Sequence, residues 1–417
     1  MITSQDLPQN SLTGLRGSIG HCLDQSEFTK MGRSLAVVIY AVRPLDGNGL
    51  LSSLGRLMTF RLDNYMGALV RFLDTIKYHD ENYDRHQRVK ILQYVYSETA
   101  KHFAQPLQQD ALKVNPNRLA PIMRTAVQLV VYFWPKVSPQ IMVALSIHFV
   151  YIVLLNDSSN DPHPDMASFC EDLLHGRQQK HPFWRLMNDR RLMNGHLSNF
   201  LSHYGSFCAF TIMRSTFDYF KGCWIEVHNF HGFPGSDYFP LFLRRLNSLG
   251  GVCGASLFPA GDFDEEALFD EVTAAIAQIE PQMAFVNDLI SFYKEFDCLR
   301  HQVNLVSNYC EVEGISLEQA FDRLTEDTIH SSEQLVTVFD GKDPKVAATV
   351  QAFVHGYVTW HFCNQRYRMH EVYKRSGDSP VGVKFRQYYE EAMKVGAIDF
   401  KEWAVPPAMT NTFKESL

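Results

Sequence analysis

The sequence contains no C-x-x-C pair, no repeat, no low-complexity tract and no uninterrupted apolar run long enough to cross a bilayer. The longest apolar stretch, Ile141 to Leu155, is broken by Ser146 and His148 and falls short of the ~20 residues a membrane span needs. The first 33 residues lack the apolar core of a secretory signal. The net charge of −7 over 417 residues is mild and offers no basic face for nucleic acid. Eight cysteines stand mostly inside apolar segments, which suits reduced, buried thiols better than disulfides or a zinc site. These absences point to a cytoplasmic protein without nucleic-acid or membrane partners. The E-x-x-H pairs of di-iron bundles are missing, and so is the D-x-D-D of protonation-initiated cyclases.

Strict alternation of apolar and polar residues is scarce; spacing of three and four dominates from about residue 62. It predicts long helices over 86–104, 119–133, 137–156, 206–230, 264–307, 316–338 and 346–375. Breaks fall at Gln105-Pro106, Asn115-Pro116, Asp161-Pro162-His163-Pro164, Gly232-Phe233-Pro234-Gly235 and Gly250-Gly251. The reading is one all-α domain of ten or more helices over residues 61–410. Residues 1–60 read as a partly flexible extension and 411–417 as a tail.

The stretch NDLISFYKEF carries the sharpest chemical signal. Asn287, Ser291 and Glu295 lie at four-residue steps, so on a helix they share one face within ~80° over ~12 Å. An amide oxygen, a hydroxyl and a carboxylate are hard ligands of the kind Mg²⁺ accepts. Lys294 lies beside the stripe, within reach of an anion at the metal. Taken alone, such a stripe is a solvated helix face. Here Phe285, Val286, Leu289, Ile290, Phe292 and Phe296 surround it, which argues for burial.

N-D-x-x-S-x-x-x-E resembles the second metal motif of class I terpene cyclases, and NDLISFYKEFD resembles that of the fungal trichodiene synthase family. The resemblance runs from about residue 62 to 409 and includes HFAQPLQQ (102–109), RSTFDYFKGCWIE (214–226), FLRRLN (242–247), HGYVTWHFC (355–363) and RYR (366–368). It implies a single helical bundle around a central active-site cavity and ionisation of farnesyl diphosphate with three Mg²⁺ to a cyclic C15 terpene. Trichodiene, or a longiborneol-type product, is what it suggests. Homodimers occur in the family, so a homodimer is admitted too. By the same resemblance Arg244, Lys294, Arg366 and Tyr367 form the diphosphate clamp, and guanidinium groups suit that anion as bidentate donors. Phe149, Tyr219, Trp360 and Tyr367 match aromatic positions of the cavity, where ring faces steady a carbocation. Tyr357, one turn before Trp360, joins them as a candidate. Glu226 either approaches the metals from another helix or sits in a buried salt bridge.

One motif departs from the family. Where D-D-x-x-D is expected, the order is Asn156, Asp157, Ser158, Ser159, Asn160, Asp161. An amide oxygen ligates Mg²⁺ but bridges two cations less well than a carboxylate. Asp157 turning inward, or Asp161 reaching in from the loop, would restore the charge; a site left without either is weakened. A chain-elongating prenyltransferase fits less well, since its second motif is Asp-rich and the one here is of the Asn-Ser-Glu type.

Overall fold

The computed structural model describes residues 61–112, 116–158, 163–177, 189–296 and 303–404. Among them are sixteen α-helices, two short 3₁₀ turns and a single isolated bridge between Tyr204 and Pro259. The first seven helices are α1 (Leu62–Thr75), α2 (Arg85–Phe103), α3 (Pro106–Leu112), α4 (Pro116–Phe133), α5 (Pro139–Ser158), α6 (His163–Leu174) and α7 (Met193–Leu201). Pro106, Pro116 and Pro139 each open a helix, where a missing N–H costs nothing. The extension and tail read at 1–60 and 411–417 lie outside the described residues.

Helices α8 (Ser206–Val227), α9 (Phe239–Asn247), α10 (Gly250–Ala255) and α11 (Phe269–Glu295) follow. The 27 residues of α11 make a rod of about 40 Å at the centre of the bundle. It packs against α1, α9 and α10, and against the later helices α12 (Leu305–Glu313), α13 (Leu317–Thr337) and α14 (Pro344–Cys363). Glycine permits its closest approach: a Cβ at Gly250 would lie 2.6 Å from the Glu280 carbonyl, and one at Gly254 3.1 Å from Ile276 Cα. The chain closes with a 3₁₀ turn (Gln365–Tyr367), α15 (Met369–Arg375), α16 (Pro380–Gly396) and a second 3₁₀ turn (Phe400–Glu402). No described helix is long and apolar enough to cross a membrane. The six cysteines among the described residues are free thiols, four of them buried.

Two expected helices are divided. The periodic stretch 264–307 holds α11 to Glu295 and a new helix, α12, from Leu305. Asn304 starts it in a capping box: its side chain accepts from Ser307 N, and Ser307 bonds back to Asn304 N. The stretch 346–375 breaks at Asn364, whose Oδ1 accepts from Arg366 N at 3.0 Å, and again at Arg368, which has φ 59°. A non-glycine residue in that left-handed region carries about 1–3 kcal/mol of strain, held by its surroundings. Both breaks fall beside the residues that matter next.

Candidate active site

Helix α11 places Asn287, Ser291 and Glu295 on one face, and all three are buried. Asn287 Oδ1 and Ser291 Oγ have no hydrogen-bond partner. Glu295 Oε1 accepts no hydrogen bond of good geometry and meets the Lys294 ammonium at 3.1 Å. Buried acceptors left open cost roughly 1–3 kcal/mol each, so two on one stripe, in line with a carboxylate oxygen beside an ammonium, call for a ligand. The opposite ends of two of these groups are tied. Asn287 Nδ2 lies 3.2 Å from His361 Nε2 and 3.4 Å from Tyr367 Oη; Glu295 Oε2 accepts from Asn304 Nδ2 at 2.9 Å. Three hard oxygens of this kind fit a divalent cation such as Mg²⁺.

A second network converges from four helices. Arg244 on α9 donates to Asp288 Oδ1 at 2.9 Å and to Asn247 Oδ1 at 2.8 Å. Asn247 in turn donates to Glu226 on α8. Asp288 Oδ2 accepts from Leu305 N, the first turn of α12, at 2.9 Å. Glu226 therefore reaches Arg244 through an amide and not by a direct salt bridge. Burial pushes its carboxyl up to about 7, opposed by the Asn247 bond and the Arg244 charge. Asn247 gets this close because Gly222 on α8 has no side chain: a Cβ there would stand 2.9 Å from Asn247 Cβ and 3.1 Å from its Cα. Gly222→Ala is thus expected to cost about 1–3 kcal/mol by overpacking and to loosen Arg244. A denaturant midpoint equal to that of the parent chain would show that α9 yields freely.

Arg366 and Tyr367 enter from the 3₁₀ turn after α14. Lys294 Nζ stands 5.1 Å from the Tyr367 ring centroid. Burial, then the neighbouring Arg366 charge, pushes Lys294 down to about 8, while Glu295 opposes the shift. Burial likewise lowers Arg366. From Tyr367 a run of rings leads into the core: Trp360 at 5.6 Å, then Phe133 at 5.4 Å, Trp134 at 5.6 Å and Phe149 at 5.5 Å. Tyr357 packs on Phe133 at 4.7 Å and donates its hydroxyl to Met283 O. Tyr219 is buried on α8, on the helix face it shares with Cys223 and Glu226.

Asn156 and Asp157 fall in the last turn of α5, and Asp161 lies outside the described residues. Four polar residues of the site escaped the sequence reading: Asn247, Asp288, Asn304 and His361. Asp288, Asn247 and His361 sit inside the motifs NDLISFYKEF, FLRRLN and HGYVTWHFC without an assigned role. Asn304-x-x-Ser307 is a helix-start signature that helical periodicity overrode.

An all-α bundle whose longest helix buries an N-D-x-x-S-x-x-x-E stripe beside basic side chains has the arrangement of a class I terpene synthase. Comparison with known proteins narrows this. The trichodiene synthase (TRI5) family matches residues 59–416. The trichodiene synthase of Stachybotrys chartarum is 52% identical over 349 residues, 83% of this chain and 90% of that one. That of Fusarium sporotrichioides is 49% identical over 350 residues, covering 84% and 92% respectively. The chain belongs to the trichodiene synthase family. Among solved structures, linalool/nerolidol synthase from Streptomyces clavuligerus aligns with a TM-score of 0.46 at 16% identity, covering 63% of this chain and 96% of that one.

Proposed function

We propose that this protein is a class I sesquiterpene cyclase, a carbon–oxygen lyase that converts farnesyl diphosphate to a cyclic C15 terpene, trichodiene or a related product such as longiborneol. The observation that carries the reading is the coincidence of two open buried oxygens, Asn287 Oδ1 and Ser291 Oγ, and of the Glu295 carboxylate beside Lys294, with the motif of this family. Mg²⁺ held there and by Asn156, Asp157 or Asp161, three ions by family resemblance, would supply Lewis-acid neutralisation of the leaving diphosphate.

The chain's own groups do the rest. Arg244, Lys294, Arg366 and the Tyr367 hydroxyl would hold the diphosphate. Lys294 and Arg366 are depressed by burial, and an anion arriving beside them restores what desolvation took away. The allylic C–O bond breaks with its electron pair leaving on the diphosphate. Phe149, Tyr219, Tyr357 and Trp360 would then present apolar and π surface to the carbocation and exclude water. Ring closure ends with loss of a proton from carbon, or with capture of one water that then gives up a proton to leave the alcohol.

Purified protein with farnesyl diphosphate and Mg²⁺ is expected to release diphosphate and a volatile C15 product, read by gas chromatography of a hexane extract. Absence of product with C10, C15 and C20 diphosphates would overturn the proposal, and binding of an inert diphosphate analogue without turnover would mark a non-catalytic relative. Asn156→Asp is expected to lower, several-fold, the Mg²⁺ concentration giving half-maximal turnover. An unchanged value would mean that Asp157 or Asp161 already bridges.

A further inference from the structure

Two of the three candidate ligands are two-ended. An amide can present oxygen or nitrogen to the site, and a carboxylate can swing either oxygen or turn away. What fixes the end that faces inward is legible from the groups behind them. His361 Nδ1 lies 2.7 Å from Tyr357 O, a carbonyl that only accepts. Nδ1 therefore carries the proton, and Nε2 is left with a lone pair. Only the NH₂ end of Asn287, 3.2 Å away, satisfies that lone pair. A reversed amide would set oxygen against nitrogen lone pair and present a donor to the cation. The Asn287 oxygen is thereby turned to the side where it has no other partner.

Glu295 is held by the same logic. Asn304 Oδ1 is committed to Ser307 N at 2.8 Å, as the cap of α12. Its NH₂ end is left to donate, and it donates to Glu295 Oε2 at 2.9 Å, which leaves Oε1 to face inward beside Lys294. Each orientation is thus dictated by a fixed backbone group, a carbonyl in α14 or an N–H in α12. The His361 ring is itself clamped between Tyr357 at 4.3 Å and Tyr367 at 4.4 Å.

We propose that His361 and Asn304 are positioning residues: His361 selects which end of the Asn287 amide faces the metal, and Asn304 fixes how the Glu295 carboxylate is turned toward it. This rests on the function proposed above. The test is calorimetric titration of Mg²⁺ into protein holding inorganic diphosphate. His361→Phe keeps a ring between the two tyrosines and removes the acceptor; His361→Gln restores an acceptor near the same place. Asn304→Asp keeps the helix cap and sets a carboxylate against Glu295; Asn304→Ser keeps the cap and is too short to reach it.

Loss of such supporting bonds typically costs 10- to 100-fold in metal affinity. His361→Phe, Asn304→Asp and Asn304→Ser are expected to weaken Mg²⁺ binding by about that much; His361→Phe and Asn304→Ser should remain folded with metal-free diphosphate binding close to the parent value, while Asn304→Asp, by its added charge, should also lower the metal-free melting temperature. His361→Gln should recover most of the affinity. Parent-like Mg²⁺ binding in His361→Phe and both Asn304 variants would overturn the proposal, as would equal losses in His361→Phe and His361→Gln. If the parent protein itself takes up no Mg²⁺ with diphosphate, it is the functional reading that fails.

Discussion

Replacing Glu295 with glutamine is expected to cut turnover by on the order of 100-fold or more and to shift the Mg²⁺ dependence to higher concentration. The size follows from the composition of the stripe. Asn287 and Ser291 contribute neutral oxygens, so Glu295 is the one formal charge that this helix face offers a cation. The surroundings make the substitution worse than a lost charge. Asn304 Nδ2 donates to the Oε2 position, and a glutamine carbonyl would take that bond. Its NH₂ group would then stand where Oε1 now lies, pointing a donor at the metal and at Lys294. Partial rescue at high Mg²⁺ should accompany the loss, because the defect is in holding the ion. Measured turnover and Mg²⁺ half-saturation equal to the parent would sink the assignment of this face of α11. Loss of turnover with unchanged Mg²⁺ dependence would place Glu295 in the chemistry by another route.

The all-α class and the existence of α2, α5, α8 and α13 follow from three- and four-residue spacing. The burial of Asn287, Ser291 and Glu295 follows from their apolar neighbours on both sides. What periodicity hid is where helices stop. Val303, Leu305 and Val306 continue the apolar pattern past Glu295, and Tyr367, Met369 and Val372 continue it past Cys363. Yet the chain turns at both places, because Asn304 and Asn364 each take a backbone N–H and begin a new element. An asparagine that caps a helix looks, in one dimension, like an asparagine on its polar face. The contacts of Asn247 and His361 were illegible for a different reason. They join residues 21 and 74 positions apart, and nothing local encodes such a pairing. The sequence motifs marked the charged ends of the site, while the neutral amides and the imidazole that aim them appeared only once the helices were packed.

Lowering the pH from 7 to 5 is expected to unfold the protein or bring it close to unfolding. The main cause lies away from the α11 stripe, in three histidines contributed by α2, α5 and α7, of which His148 and His196 are buried and His102 is half-buried. The ring of His196 stands 6.1 Å from that of His102 and 6.4 Å from that of His148. Burial pushes His102 down to about 4 and His148 to about 3, and burial followed by the other two histidines lowers His196 well below its ordinary value. Their partners are neutral: the Tyr151 hydroxyl, itself bonded to Gln108, for His102; Ala144 O for His196; and the Thr216 hydroxyl, at 3.5 Å, for His148. Asp189, the carboxylate felt by Tyr151, is already engaged by Arg191 at 2.7 Å. A folded-state pKa below the unfolded value of about 6.5 means that stability is complete above pH 6.5 and is lost as pH falls toward the folded pKa. At pH 5 His102 and His148 each cost about 2 kcal/mol of stability, together about 4 kcal/mol, and His196 adds in the same direction, against a total stability of roughly 5–15 kcal/mol for an ordinary domain. Circular dichroism against pH should show a steep transition near pH 5, its slope reporting the uptake of several protons, to which His361, pushed down to about 3 by burial, adds its own. His148→Leu, which removes a buried Nδ1 that has no partner, should lower both the midpoint and the slope by one proton's share. A protein still folded at pH 4, or a transition indifferent to that substitution, would mean that the histidine pocket opens to water and takes up its protons without loss of the fold.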